Sequence, residues 1–126
     1  MKQYSFNQQV TPPAPLVFIR VSAPNSADYE ELPALIDTGA ELTLIRSDAI
    51  EKLNLQYGDE MDIEGVTGEA ESIKIFVVNL AFRGLPPITI KVGSYELDEL
   101  AILGRDFLIH YRLIFDGPQL TLTIDA

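Results

Sequence analysis

The sequence predicts an all-β single domain with one or two short helices. Turn-forming residues punctuate the chain at short intervals, and β-branched and aromatic residues fill the gaps between them. A length of 126 residues suits one compact domain rather than two. A chain of this size can bury about two-thirds of its unfolded surface, so its core needs no disulfide or metal staple. The domain is expected to span 1–126, with 1–15 as an extended N-terminal segment.

Residues 1–10 are polar with scattered aromatics and define no element. Thr11-Pro12-Pro13-Ala14-Pro15 is stiffened by its prolines, which fix φ and hold the preceding residues extended. Residues 16–21 read as a strand, and the polar stretch 23–31 as a loop. Residues 33–37 form a short apolar strand that runs into Thr38-Gly39, and 42–45 resume as strand. Ser47 is placed to cap a short helix through Leu53, with Ile50 and Leu53 on one face. Residues 61–63 and 70–82 read as two strands around Gly65-Val66-Thr67-Gly68, a hairpin with a glycine-rich tip. Further strands are expected at 88–92 and 100–103, a helix at 106–111, and a terminal hairpin from 112–115 and 120–124 around Asp116-Gly117-Pro118. No sequence repeat, low-complexity tract or domain linker appears.

The formal net charge is -10, which repels nucleic-acid phosphates and anionic lipid. Solubility is the simplest role for that charge. With no cysteine, the chain has no thiol nucleophile, no thiolate metal site and no disulfide. The N-terminus has no apolar run suited to a secretory signal, and stretches such as 73–82 are too short to span a bilayer. A soluble, cytoplasmic protein without nucleic-acid or membrane partners is expected.

The strongest chemical signal is Asp37-Thr38-Gly39-Ala40. An apolar strand delivers an aspartate to a tight turn, where burying the carboxylate is costly without a purpose or partner. Glycine in the third place removes side-chain bulk and allows close backbone approach, and threonine adds a hydroxyl able to reach a second backbone. Asp-Thr-Gly by itself also suits an ordinary turn in which the aspartate caps local amides. Here it follows Leu35-Ile36, precedes Leu42-Thr43-Leu44-Ile45, and is answered much later by Ala101-Ile102-Leu103-Gly104-Arg105-Asp106. His110 is the only histidine and stands near no serine motif, so a structural role suits it better than a triad base. Asp59, Glu60, Asp62 and Glu64 lack the spacing of a calcium loop and read as a solvated strand edge. No metal or organic cofactor is expected.

Together, the Asp-Thr-Gly-Ala turn, the glycine-tipped hairpin and the Leu-Gly-Arg-Asp segment resemble the retropepsin family of aspartic peptidases over residues 16–124. The resemblance implies a single-domain acid-protease fold assembled as a C2 homodimer, acting as an aspartic endopeptidase on peptide or protein substrates. By the same resemblance, Asp37 is the catalytic aspartate and Thr38 joins the hydrogen-bond grip between the two active-site loops. Gly39 meets the substrate backbone, while Gly65, Val66, Thr67 and Gly68 form the tip of a flap. Leu100 and Ile102 line side-chain pockets, which with Val66 suit apolar residues around the scissile bond. Glu41 and Arg105 occupy the places of an ion pair beside the active site.

The chain departs from retroviral members at Glu41, where aspartate is usual, and at Asp106, where many have asparagine. Its 23–31 loop is longer, and its C-terminal hairpin is an addition to the shortest members. Strand 120–124 is the expected contributor to an interface sheet. The rival reading is a non-catalytic retropepsin-like domain used for dimerisation or peptide binding, since fold does not fix function. A β-rich ligand carrier, with no dependence on Asp37, is a third.

Overall fold

The computed structural model describes residues 1–55, 59–64, 70–96 and 100–125, with 59–64, 70 and 71 as backbone alone. Ten strands and two short helices occur among the described residues. The first, β1 (Lys2–Ser5), lies in a stretch whose sequence defined no element, because its hydrogen bonds come from the far end of the chain. After it the chain does not simply run extended. A bridge between Asn7 and Ala14 closes a loop around a cis Thr11-Pro12 bond.

Strand β2 (Leu16–Ser22) alternates as expected, with Val17, Ile19 and Val21 buried. Strand β3 (Tyr29–Ile36) begins four residues earlier than the expected 33–37 segment, within the stretch expected to be loop. Its polar half is strand because it pairs with β2 from Ser22↔Tyr29 to Leu16↔Leu35. Tyr29 and Glu31 are exposed on the outer face; Leu32, Ala34 and Ile36 point into the core, and Glu30, on their side at the rim, meets Lys52 at 3.6 Å. The pairing sets Glu31 opposite Arg20, and the Glu31 carboxylate accepts from Arg20 Nε at 3.1 Å and from the Arg83 guanidinium. Opposite charges on a solvated face therefore support a strand here rather than break it.

Strand β4 (Leu44–Arg46) leads directly into α1 (Ser47–Lys52). Ser47 is the first helical residue and not the cap; Arg46 holds the cap position and makes no side-chain capping bond. The Ser47 hydroxyl instead accepts from Ser94 at 3.2 Å. Ile50 is buried, and Leu53, the C-cap residue just past the helix, packs against the same core. Strands β5 (Asp59–Glu64) and β6 (Ala70–Phe82) pair antiparallel, from Asp59↔Ile75 to Glu64↔Ala70. Strand β7 (Ile88–Tyr95) is longer than expected because it follows β6 along seven pairs. Then come β8 (Ala101–Leu103), α2 (Arg105–Leu108, a single turn), β9 (Arg112–Asp116) and β10 (Thr121–Asp125).

Seven strands form one sheet in the order β2-β3-β8-β4-β7-β6-β5, and a further β2–β6 pairing curls it toward a barrel. The second sheet has three strands, β1-β10-β9. Strand β10, read from sequence as an interface strand, is its centre: β1 fills one edge and β9 the other. Leu122 and Ile124 of β10 enter the same core as Ile19, Val78, Leu80 and Leu103 of the larger sheet. At the joint, Phe82, Phe107 and Tyr111 pack ring to ring with centroids 4.9–5.1 Å apart. The Tyr111 hydroxyl is buried there without a hydrogen-bond partner among the described residues, and burial pushes its pKa up.

The Arg20–Glu31–Arg83 group gives a measurable pH dependence. Hydrogen bonding from Arg83 above all, reinforced by Arg20, holds the Glu31 carboxyl below its usual range. Its contribution to stability is present above the ordinary glutamate pKa and is lost as pH falls through the depressed folded value. Melting temperatures of wild type and Glu31→Gln should differ near neutrality and converge below about pH 4. A constant gap across that range would rule out the linkage.

Candidate active site

Asp37 stands one residue beyond β3, and its position is fixed by β8. Strand β8 runs parallel to β3 in the register Ala34↔Ala101, Leu35↔Ile102, Ile36↔Leu103. On its other side it meets β4, with Leu44 opposite Ile102. The two sequence motifs thus lie side by side at one end of adjacent strands. The Asp37 amide donates to the Leu103 carbonyl at 3.0 Å, continuing the ladder by one step.

The turn is then closed locally. Gly39 N–H donates to Asp37 Oδ1 at 2.9 Å, and Ala40 N–H donates to the Asp37 carbonyl at 3.2 Å. One carboxylate oxygen is therefore oriented by the turn itself. A Cβ on Gly39 would come within 3.2 Å of that oxygen, so a bare glycine leaves the carboxylate its room. Asp37 is half-buried, and Thr38 and Gly39 are exposed.

The loop carrying Asp37 is stapled to the segment after β8. Arg105 N–H donates to the Ala40 carbonyl at 2.9 Å, and its guanidinium donates to the Thr38 carbonyl at 2.8 Å. Thr43 is fully buried. Its hydroxyl donates to Asp106 Oδ1 at 2.7 Å and accepts from Gly104 N–H at 3.0 Å. Its own amide donates to Asp106 Oδ2 at 3.1 Å, and Phe107 N–H donates to Oδ1 at 2.9 Å. Gly104 is forced by contact: a Cβ there would lie 2.8–3.0 Å from backbone atoms of Leu42.

The expected Glu41–Arg105 ion pair is absent from the ion pairs of the described residues. Arg105 turns to the Thr38 carbonyl instead, and Glu41 is exposed to water, where a lone carboxylate needs no partner. Leu100 and Ile102 are both half-buried. Ile102 shares its face with Leu35 and Leu44, its neighbours across the ladder. Leu35 was noted only as part of the strand before Asp37 and was given no pocket role, although its alternation with the buried Ile36 carries the signal. Thr43 was missed, and Asp106 was noted only as a departure from retroviral members; nothing in a linear reading joins residues 63 apart.

The proposed flap residues Gly65, Val66, Thr67 and Gly68 lie outside the described residues, and only the paired arms β5 and β6 are described. His110 is exposed in the turn after α2. The side chains of Asp59, Glu60, Asp62 and Glu64 lie outside the description, and no metal-binding group of acidic or histidine side chains gathers among the described residues. No helix is long and apolar enough to cross a membrane among them.

A sequence profile described as "Aspartyl protease" matches residues 25–107, and the chain belongs to that family. No curated protein matches it. Among solved structures it is similar to the EIAV protease in complex with the inhibitor HBY-793, with TM-score 0.59 and 22% identity, over 77% of this chain and 86% of the other. It is also similar to the retroviral protease-like domain of Ddi1 from Leishmania major, with TM-score 0.53 and 17% identity over 87% and 88% of the two chains. The foamy viral protease-reverse transcriptase bound to an RNA/DNA hybrid gives TM-score 0.56 and 17% identity over 78% of this chain and 12% of that longer one. At such identities the structural likeness establishes a retropepsin-like fold.

The staple can be tested on its own. Thr43→Val keeps the shape but removes the hydroxyl, leaving Gly104 N–H buried and unpaired. Chemical denaturation should show a loss of about 1–3 kcal/mol. A loss within error of zero would mean that the network contributes nothing to holding the loop.

Proposed function

We propose that the chain is one subunit of a homodimeric aspartic endopeptidase in which Asp37 supplies one of two catalytic carboxylates. The observation that carries this reading is the Asp37 turn. In a member of the aspartyl protease family, a carboxylate at the end of a core strand has one oxygen oriented by Gly39 N–H, on a loop braced by Gly104, Arg105 and Asp106.

The sequence has one Asp-Thr-Gly, and the chemistry needs two carboxylates in one site. A two-fold axis beside Asp37 supplies the second. Two carboxylates about 3 Å apart do not both ionise and share one proton, for which aspartic proteases are themselves the standard example. The ionised member takes a proton from a bound water. The protonated member donates to the peptide carbonyl oxygen as the water attacks. Collapse of the tetrahedral species passes a proton to the leaving nitrogen, and no covalent enzyme intermediate forms. The two groups titrate as a pair. The substrate is a peptide held extended, as an added strand whose side chains alternate into pockets. Leu100 and Ile102, with Leu35 beside them, favour apolar side chains near the scissile bond. Residues 65–68 would cover the substrate as a flap, and Thr38 would join the two active-site loops through its hydroxyl.

Asp37→Asn preserves size and removes the charge that activates water. Peptide hydrolysis should fall at least about 10³-fold while dimer and fold persist by sedimentation and circular dichroism. Hydrolysis at the wild-type rate would refute the assignment.

The residue after Asp-Thr-Gly sets the working pH. Ala40 has no hydroxyl to donate to the carboxylates, so nothing at this position favours their ionised form. A mildly acidic to near-neutral optimum, which suits a cytoplasmic enzyme, is expected. Ala40→Ser adds a donor toward the carboxylates and should move the pH–rate bell toward acid. An unmoved bell, or one shifted toward alkali, would show that another group sets the range.

A further inference from the structure

The outward face of the main sheet changes character along β2 and β3. At the Ser22 end of β2 it is polar: Arg20 lies over the Tyr29 ring and donates to Glu31. Toward Asp37 it becomes apolar. Phe18 stands opposite Pro33 and Leu16 opposite Leu35, all four turned away from the buried Val17, Ile19, Leu32 and Ala34. Ile102 carries that stripe onto β8 as the partner of Leu35. A solvated sheet face normally shows polar residues at such places. Phe18 is nonetheless 44% exposed.

The far end of the stripe is walled into a cleft of about 500 Å³, within the size range of small-ligand sites. Leu16, Phe18 and Pro33 give it an apolar floor, and Asn7, Gln8 and Gln9 line it from the loop after β1. That loop is held in place. Asn7 and Ala14 exchange backbone hydrogen bonds at 2.8 and 3.1 Å, and Asn7 Oδ1 accepts from Gln9 N–H at 2.8 Å. Tyr4 donates its hydroxyl to the Arg83 carbonyl at 2.8 Å. The Arg83 guanidinium lies over the Phe18 ring, 4.1 Å from its centroid, and donates to Glu31. Arg83 is the one charged side chain among the described residues lining the cleft, and it is already paired. A charged ligand therefore meets no open counter-charge there. A neutral one with an apolar side chain and peptide groups meets the floor and the carboxamides of Gln8 and Gln9, each able to donate and accept. Pro33 lies four residues before Asp37, about 13 Å along the strand at about 3.3 Å per residue. An extended peptide covers that distance in about four residues.

The geometry points to this cleft as an outlying substrate subsite. It takes an aromatic side chain about four or more residues from the scissile bond, while Gln8 and Gln9 hold the neighbouring peptide groups. The occupant is the substrate because the floor of the cleft continues, through Leu16 and Leu35, into the face beside Asp37. That choice rests on the peptidase reading, in whose two-fold dimer one such cleft lies to each side of the scissile bond. The cleft itself rests on β2, β3 and the loop after β1 alone.

The cleft is tested first without activity. N-acetyl-phenylalaninamide, titrated into the whole protein, should shift the amide resonances of Gln8, Gln9, Leu16 and Phe18 in a saturable way, and N-acetyl-alaninamide should not. No shift at these amides, or equal shifts from both probes, would overturn the proposal. The substrate role is tested by cleavage. Mass spectrometry of a mixed-peptide digest gives a scissile sequence. That sequence is then made in two versions of equal length, reaching about six residues to each side, with phenylalanine or alanine at the outer positions. The phenylalanine version should be cleaved with kcat/KM about tenfold higher, the gain lying in KM. Phe18→Thr removes the ring but keeps a good strand former at an exposed position, and it should bring that ratio close to one. Equal cleavage of the two versions by wild type, or a ratio that survives Phe18→Thr, would overturn the subsite. Cleavage with neither shifts nor a phenylalanine preference sinks the cleft and spares the peptidase. Saturable shifts in a protein that cleaves no peptide do the opposite, leaving a peptide-binding cleft without hydrolysis.

Discussion

The geometry of the candidate site depends on one buried contact, the carboxylate of Asp106 holding both the amide and the hydroxyl of Thr43. The loop from Asp37 to Thr43 leaves one strand and returns to another with β8 lying between them. Thr43 is fully buried, so its polar groups must be satisfied inside the protein. Asp106 satisfies them from one side, and Gly104 N–H completes the hydroxyl from the other. The same few residues bring Arg105 against the Thr38 and Ala40 carbonyls. The turn orients the Asp37 carboxylate locally, and a segment far away in sequence fixes where that turn sits.

Most of the strand framework was legible because it rests on local alternation. Val17, Ile19 and Val21 face inward at every second position, and the apolar 100–103 segment became the strand beside Asp37. The failures were of a different kind. Tyr29 to Glu31 looked like loop because the solvated part of a paired strand carries the same polar residues as a loop. Lys2–Ser5 looked featureless because its partner, β10, is more than a hundred residues away. The helix expected at 106–111 is a single turn, since the chain must open into β9 to reach the second sheet.

At the site, the Asp-Thr-Gly turn and its Leu-Gly-Arg counterpart stood out because glycine has few substitutes where backbones crowd. Gly104 against Leu42 shows that directly. What stayed hidden was the means of attachment. Thr43 sits among Leu42, Leu44 and Ile45 as one polar residue in an alternating run, and its burial is decided by tertiary packing. The expected partnership of Glu41 with Arg105 had the right arginine and the wrong acceptor: a backbone carbonyl, which no sequence displays, takes the guanidinium.

The ring cluster of Phe82, Phe107 and Tyr111 has a thermodynamic consequence. It draws side chains from the larger sheet, from α2 and from the approach to β9, and it belongs to a core that also contains Leu122 and Ile124. Neither sheet owns a hydrophobic interior of its own. Detaching the three-stranded sheet would expose the rings that support α2, so the molecule should melt in one cooperative step, without a populated half-folded form. The buried Tyr111 hydroxyl has no partner there among the described residues, and an unpaired buried polar group costs about 1–3 kcal/mol. The cost of that hydroxyl falls at the joint, where any loosening is shared by both sheets at once.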